Sequence, residues 1–326
     1  VKDFTPNPTV TPTLLYDLTA VGDAYVELRA MDASLPEAGS FDRVIGGSAA
    51  LISIYTSLLG DKACCIASVG ADAMGTFIHN TLRSYKINVN GLQYSRDFQT
   101  SVLYSTLSSQ LRQMLYYRLA DWQLHNTKDH VTLAQSSRIV HACGFSLWKH
   151  PARHSIFEVL RLSRKMNITT VLHPYFEPVM WRDHTDAIST IKKTLQFTDI
   201  ATPALEDAAH LFGRALREDY VKRFLDLGAD CVVLTMGKDG CLVSDGRKII
   251  MVPAIETDSV VDQSGSNEAW HAGLYYAMNQ GKELAHAAYF ANAVAAYVEQ
   301  HNGSLVPLPP VGELCERMTG RRFEDI

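Results

Sequence analysis

The segment VVDQSGSNEAWHAG, Val260–Gly273, gathers residue types that could do chemistry on an anion. Ser264, Gly265 and Ser266 make a small-residue turn after a strand-like DSVV, and the spacing predicts an apolar helix over Ala269–Met278. The first N–H groups of a helix have no partner within it, and they point along a dipole that favours negative charge. Such a turn would therefore present backbone donors to a phosphate. A phosphate site would ideally continue with a glycine and a short carboxylate; here Asn267 and Glu268 stand in those places. The competing reading is an ordinary helix start, capped by Ser264 or Ser266, with Glu268 favoured by the dipole.

Positioning such a turn needs a scaffold, and strand-like and helix-like runs alternate along the chain. LTAVGD (Leu18–Asp23), ACCIASVG, RIVHACG, TTVLHP and DCVVLTMG are short apolar strands. Between them lie helical stretches such as GGSAALISIYTSLLG (Gly46–Gly60), DAMGTFIHNTLRSYKI, SIFEVLRLSRKM and DYVKRFLDLG. Apolar strands without alternation, separated by helices, predict a mostly parallel sheet covered on both faces. Two regions break the rhythm. Ala24–Ile45 reads as polar and loop-like, and Asp97–Trp122 alternates around a turn-like SSQLR, so these regions together predict a small antiparallel flap. Helices are expected over Asn267–Asn279, Glu283–Glu299 and Pro310–Met318.

Composition narrows the function classes. The chain has 326 residues, 47% of them hydrophobic and 20% charged, as in a globular protein. Its net charge of −5, without a basic block, argues against nucleic acid or an anionic membrane as partner. No apolar run is long enough to span a membrane, and the first residues lack the apolar core of a signal peptide, although a leader could precede Val1. Cys64, Cys65, Cys143, Cys231, Cys241 and Cys315 show neither metal spacing nor a disulfide framework, which suits buried reduced thiols in the cytoplasm. His150 and His154 lack a third zinc ligand. The absence of a Walker loop and of G-x-G-x-x-G excludes P-loop and dinucleotide readings. Tyr116, Tyr117 and Trp122 are expected to pack the flap or a dimer contact.

Several segments taken in order resemble the ribokinase (PfkB) family of carbohydrate and nucleoside kinases, from about Asp17 to Pro309. GGSAALISIYTSLLG resembles that family's first signature, SVGADAMG its Val-Gly-x-Asp-x-x-Gly segment, and VVLTMGKDGCLV its nucleotide-side strand and turn. VVDQSGSNEAWHAGL resembles the second signature. The resemblance implies an α/β fold, a ribokinase-like three-layer α/β/α sandwich with a mostly parallel sheet and a small β lid. It implies one domain over 1–326 with the lid formed by about 24–45 and 97–122. It also implies ATP and Mg2+ as cofactors, a sugar or nucleoside acceptor, and a possible homodimer through the lid.

By that resemblance Gly265, Ser266 and Asn267 form the anion hole and Glu268 is the catalytic base. The extra methylene of Glu268 moves its oxygen by about an ångström relative to the family's Asp, and misplacement on that scale can cost roughly 10²-fold. Thr235, Gly237, Gly240 and Asn292 fall on the nucleotide side. Asp23, Tyr25, Glu27, Gly46, Gly47 and Leu51 fall on the substrate side, with Tyr25, Glu27 and Leu51 replacing the family's Asn, Asp and Asn. His173, Tyr175 and Glu177 replace Asp, Asn and Arg in LHPYFEPVMW. The family's magnesium-organising Asn-x-x-Glu reads Ala204 and Asp207. Two readings follow. One is an ATP-dependent, fructokinase-like sugar or nucleoside kinase; the other is a catalytically degenerate relative that binds or regulates.

Overall fold

The computed structural model describes residues 14–326 apart from 32–33, 107–112, 182 and 258. The chain opens with β1 (Tyr16–Gly22), β2 (Tyr25–Ala30), β3 (Phe41–Gly46), α1 (Ser48–Leu58), β4 (Ala63–Gly70), α2 (Ala73–Ser84) and β5 (Leu92–Ser95). It continues through β6 (Val102–Thr106), β7 (Met114–Tyr117), α3 (Lys128–Gln135), β8 (Ser137–Cys143), α4 (Ala152–Lys165), β9 (Thr169–His173) and α5 (His184–Leu195). Then come β10 (Ile200–Ala201), α6 (Leu205–Phe212), α7 (Arg217–Asp226), β11 (Cys231–Thr235), β12 (Cys241–Ser244) and β13 (Ile249–Val252). Three helices close the described chain: α8 (Ser266–Asn279), α9 (Leu284–Glu299) and α10 (Val311–Thr319).

Nine strands form the main sheet in the order β13-β12-β11-β10-β9-β8-β1-β4-β5. It is parallel from β11 to β5, while β12 and β13 pair antiparallel at one edge. The run ACCIASVG explains why the strands do not alternate in polarity. Ala63, Cys65, Ala67 and Val69 pack into one core with α1, α8 and α9, while Cys64 and Ile66 pack into the other with α4, α5 and α7. Both faces are covered, so both residue parities must be apolar. The outcome is the three-layer α/β/α sandwich expected from the sequence. All six cysteines are buried and free, and no helix among the described residues is long and apolar enough to cross a membrane.

A second sheet, β3-β2-β6-β7, lies outside this core. It is mixed rather than antiparallel as expected: β2 runs parallel to β6 and antiparallel to β3. The stretch read as loop-like supplies two of its strands. Tyr25, Glu27 and Arg29 form one face of β2, Val26, Leu28 and Ala30 the other, a short two-residue alternation inside a stretch that is otherwise polar. The expected SSQLR turn lies outside the described residues.

The strand-like DSVV is also corrected. Its described residues Ser259–Val261 form no strand; the Val261 and Asp262 N–H groups donate to the Glu299 carbonyl at the end of α9 instead of to a neighbouring strand, at 2.7 and 3.2 Å. The Asp of SVGADAMG has a structural use. Asp72 caps α2 by accepting from Gly75 N at 2.8 Å, and it accepts from Thr100 N and Thr100 Oγ1, each at 2.7 Å, fixing the approach to β6.

Candidate active site

At the start of α8, Gly265 adopts a left-handed φ of 76°, and a Cβ there would collide with the Ser304 carbonyl. Neither expected serine cap forms. Gly265 is the N-cap residue without a side-chain bond, and the Ser266 hydroxyl donates backward to the Gln263 carbonyl at 2.9 Å. The helix start therefore has no side-chain cap, and of its first N–H groups that of Ser266 turns back to the Gln263 carbonyl at 3.3 Å. Asp262 shapes the turn before it, with Oδ1 accepting from Ser264 N and Oδ2 from Gly303 N, both at 2.9 Å. Burial opposes the charge on Asp262, but those amides outweigh it and hold the carboxyl below its usual range.

The inner face of the lid sheet closes the site from above. Arg29, buried, contacts Glu27 Oε1 from Nε at 3.0 Å and donates from Nη2 to Oε2 at 3.1 Å, while its Nη1 lies 4.0 Å from Asp262 Oδ2. Ser105 adds a hydroxyl to Glu27 Oε1 at 2.6 Å. One guanidinium thus ties the lid carboxylate to the turn before α8. The Tyr25 ring covers Gly46, where a Cβ would collide with it, and Gly47 takes a φ of 103° at the start of α1. Phe145 meets Tyr25, Tyr116 and Tyr175 at ring distances of 6.4, 5.6 and 5.8 Å, forming an aromatic wall. Arg118 stacks over Phe145 at 4.0 Å and donates to its carbonyl.

Glu268, half-buried in the first turn of α8, is near enough to Tyr25 for its charge to act on the phenol. The phenol of Tyr25 is pushed well above its ordinary range by burial first, then by Asp23, Glu27, Tyr116 and Glu268. Asp23 itself lies under the floor at 1% exposure. It accepts from Ser48 N at 3.1 Å and from Ser146 Oγ at 2.7 Å, and burial raises its pKa against the pull of Arg118. Leu51 is buried in the core beside α8. Asp23 and Leu51 are therefore buried in the scaffold, while Tyr25 and Glu27 share the β2 face that carries Arg29.

Three buried histidines cluster here, His271 on α8, His141 on β8 and His173 at the end of β9. His271 is 5.1 Å from His141 and 4.9 Å from His173, ring to ring. Burial first, and for His141 and His271 also their histidine neighbours, lowers their pKa values: to about 3 for His141, to about 4 for His173, and well below the ordinary value for His271. Asn267 Nδ2 lies 3.3 Å from His173 Nε2. Tyr175 donates to Glu177 Oε2 at 3.4 Å.

Asp207, in α6, accepts from Phe176 N at 3.0 Å. Burial pushes its carboxyl up to about 7, against the amides of Phe176 and Ala204 and with help from the charges of Glu206 and Glu177. Ala204 contributes only backbone, bridging to Thr235. Among the described residues no group of three His, Cys, Asp or Glu side chains is placed to hold a metal ion. Because the folded-state pKa of Asp207 is raised, charging it costs stability as pH climbs from the unfolded value of about 4 towards 7. Asp207→Asn is expected to match the wild type near pH 4 and then gain about 1.4 kcal/mol per pH unit over it up to pH 7. Denaturant unfolding at a series of pH values checks this; a gap independent of pH would contradict it.

The Thr235–Gly240 turn forms a ledge between β11 and β12. Thr235 N donates to the Pro203 carbonyl and Met236 N to the Gly240 carbonyl, at 2.9 and 2.8 Å. Gly237 and Gly240 have φ of 56° and 82°, and a Cβ on Gly240 would collide with the Val252 carbonyl. Asn292, in α9, uses both ends of its amide within the protein. It accepts from Trp270 Nε1 and donates to the Pro253 carbonyl, each at 2.8 Å, bracing the wall of the groove.

This arrangement brings an uncapped helix start, a carboxylate and a glycine ledge together between a lid and a parallel sheet. The model of the pfkB family of carbohydrate kinases matches residues 15–310. The chain belongs to the pfkB family. Over 297 residues, 91% of this chain and 92% of the relative, it is 30% identical to the ATP-dependent 6-phosphofructokinase of Thermoanaerobacterium thermosaccharolyticum. It is 24% identical to the 5-dehydro-2-deoxygluconokinase of Bacillus licheniformis over 310 residues, 92% and 95% of the two chains. The solved structure of Halothermothrix orenii fructokinase superposes with a TM-score of 0.77 at 28% identity, covering 86% of this chain and 98% of that one.

Within the pfkB frame, the structure brings Gly265, Ser266, Asn267 and Glu268 together with Tyr25 and Glu27. It sets Thr235, Gly237 and Gly240 at the turn from β11 to β12, with Gly240 against the Val252–Ala254 segment that Asn292 bonds. Asp262, Arg29, Phe145 and His271 also build the site and were not singled out from the sequence. Arg29 carried a readable signal, since it follows Tyr25 and Glu27 at the two-residue period of one strand face.

Proposed function

We propose that this chain transfers the terminal phosphoryl group of ATP to a hydroxyl of a sugar or nucleoside at the start of α8. The observation that carries the reading is the uncapped α8 N-terminus at Gly265 with Glu268 one turn inside it. In this reading the acceptor lies under the lid against Tyr25 and Glu27, and the nucleotide lies along Thr235–Gly240. Glu268 takes the hydroxyl proton as that oxygen bonds to the terminal phosphorus. The bond to the bridging oxygen of ATP breaks and ADP leaves. The α8 backbone donors stabilise charge on the transferring group, which needs positioning and electrostatics more than covalent chemistry.

Mg2+ would neutralise the phosphates when bound with the nucleotide. Asp207, Glu206 and Glu177 suit an ion carried mainly by phosphate oxygens and held through water, since Mg2+ commonly takes only one or two carboxylates beside its substrate. A binding role without transfer draws on Asp207, whose carboxylate is withdrawn towards Phe176. An ADP-release assay with Mg·ATP over fructose, fructose 6-phosphate, 5-dehydro-2-deoxygluconate, aldoses and nucleosides separates the two. Acceptor-dependent ADP supports transfer; nucleotide binding without ADP from any acceptor supports the binding role. Six buried free thiols accord with action in a reducing cytoplasm.

The outer face of the lid suits a second copy of the chain. It carries an open pocket of about 590 Å³ lined by Phe41, Val102, Tyr104, Leu115 and Tyr117, of which Leu115 and Tyr117 are about half exposed. Leu115→Glu is expected to convert a dimer to a monomer in analytical ultracentrifugation. A wild type that is monomeric at all concentrations would contradict the lid-to-lid dimer.

A further inference from the structure

Asn267 occupies a place where an outward side chain would obstruct a phosphate, yet its amide is fastened inward. Its Nδ2 meets Nε2 of His173, at the end of β9 and only 2% exposed. The other end of the ring fixes which atom donates. His173 Nδ1 lies 2.6 Å from the Thr202 carbonyl, which can only accept, so Nδ1 carries the hydrogen and Nε2 offers a lone pair. Asn267 therefore presents its NH2, not its carbonyl, to His173. The backbone of Asn267 is held from the same side. Its carbonyl accepts from His271 Nδ1 at 2.7 Å, and His271 Nε2 accepts from the Thr202 hydroxyl at 2.9 Å. Two histidines that share Thr202 thus fasten both ends of one residue.

We propose that His173 is a positioning residue that holds the Asn267 side chain out of the phosphate position, so that the α8 start accepts an anion without the usual glycine. This rests on the phosphoryl-transfer reading above. It also explains why the two departures occur together: Asn267 needs an acceptor behind it, and His173 supplies a neutral one. A neutral hydrogen bond biases such an equilibrium by roughly 10-fold.

The test is a double-mutant cycle of His173→Phe and Asn267→Gly, read both as the dissociation constant for Mg·AMP-PNP by calorimetry and as kcat in ADP release. His173→Phe is expected to weaken Mg·AMP-PNP binding about 10-fold when Asn267 is present and less than twofold in the Asn267→Gly background, with the acceptor KM unchanged. Additive losses in the two backgrounds would overturn the proposal. If His173→Phe does not fold, Asn267→Leu and Asn267→Gly decide the matter. Leu keeps the bulk of Asn without its bond to His173, so it should bind Mg·AMP-PNP about 10-fold more weakly than Gly, and equal affinities would overturn the proposal. The two readouts separate this inference from its premise. Coupling in binding without turnover leaves the positioning role standing and sinks phosphoryl transfer, whereas a working kinase with additive losses does the reverse. A wild type that binds no nucleotide overturns both.

Discussion

Glu268→Gln is expected to lower kcat by roughly 10² to 10⁴, the range spanned by a positioned general base. The side chain keeps its length and its place in the first turn of α8, so folding and nucleotide affinity should change little. What is lost is the ability to take a proton from the acceptor as the oxygen–phosphorus bond forms. Because that proton moves only in the transition state, the loss should fall on kcat and leave the acceptor KM nearly unchanged. Glu268→Asp tests reach separately. It restores the family's shorter carboxylate in a site whose Tyr25, Glu27 and Asn267 differ from the family pattern. Withdrawal of the oxygen by about an ångström is expected to cost roughly 10²-fold. Steady-state kinetics on the purified variants checks both. A Glu268→Gln variant with wild-type turnover would remove the residue from the chemistry.

Gly265→Ala should damage stability and activity together. The left-handed backbone costs a residue with a Cβ roughly 1–2 kcal/mol, and the added methyl would also meet the Ser304 carbonyl. That carbonyl accepts from the Tyr55 hydroxyl at 3.0 Å, so it is braced and cannot yield freely. The strain therefore passes into the α8 start, whose donors must aim at one point. A loss of at least ~2 kcal/mol in denaturant unfolding and about 10²-fold in kcat are the expected results. Ser266→Ala is the matched control. It removes a hydroxyl that bonds back to Gln263 and also meets Glu299, and both quantities should stay close to wild type.

How much of this could be read beforehand depended on where burial imposed a pattern. ACCIASVG, RIVHACG and TTVLHP were legible as strands because helices cover both faces of the sheet, leaving every position apolar. β2 and β3 were not, since the alternation of Tyr25, Glu27 and Arg29 with Val26, Leu28 and Ala30 runs for only six residues inside a polar stretch. β10 has only two residues, too few to carry a period. DSVV misled for the opposite reason: β-branched residues suggested a strand, but its N–H groups found the end of α9 first.

The site was legible where it is local. The turn, its glycine and its carboxylate lie within a few residues of each other. The bond between Asn267 and His173 spans 94 positions, and no local pattern encodes it. Without it Asn267 reads only as an obstacle; with it, as a side chain stored in the protein. The same holds for Arg29, which joins Glu27 of the lid to Asp262 of the turn across most of the chain.

The measurement that tests the central claim most directly is a crystal structure of the wild type with Mg·AMP-PNP. The terminal phosphate should lie against the backbone donors of Gly265–Glu268, with the Asn267 amide still on His173 and the Glu268 carboxylate facing the space under Tyr25. A phosphate held elsewhere, or an Asn267 side chain filling the space at the α8 start, would contradict the account.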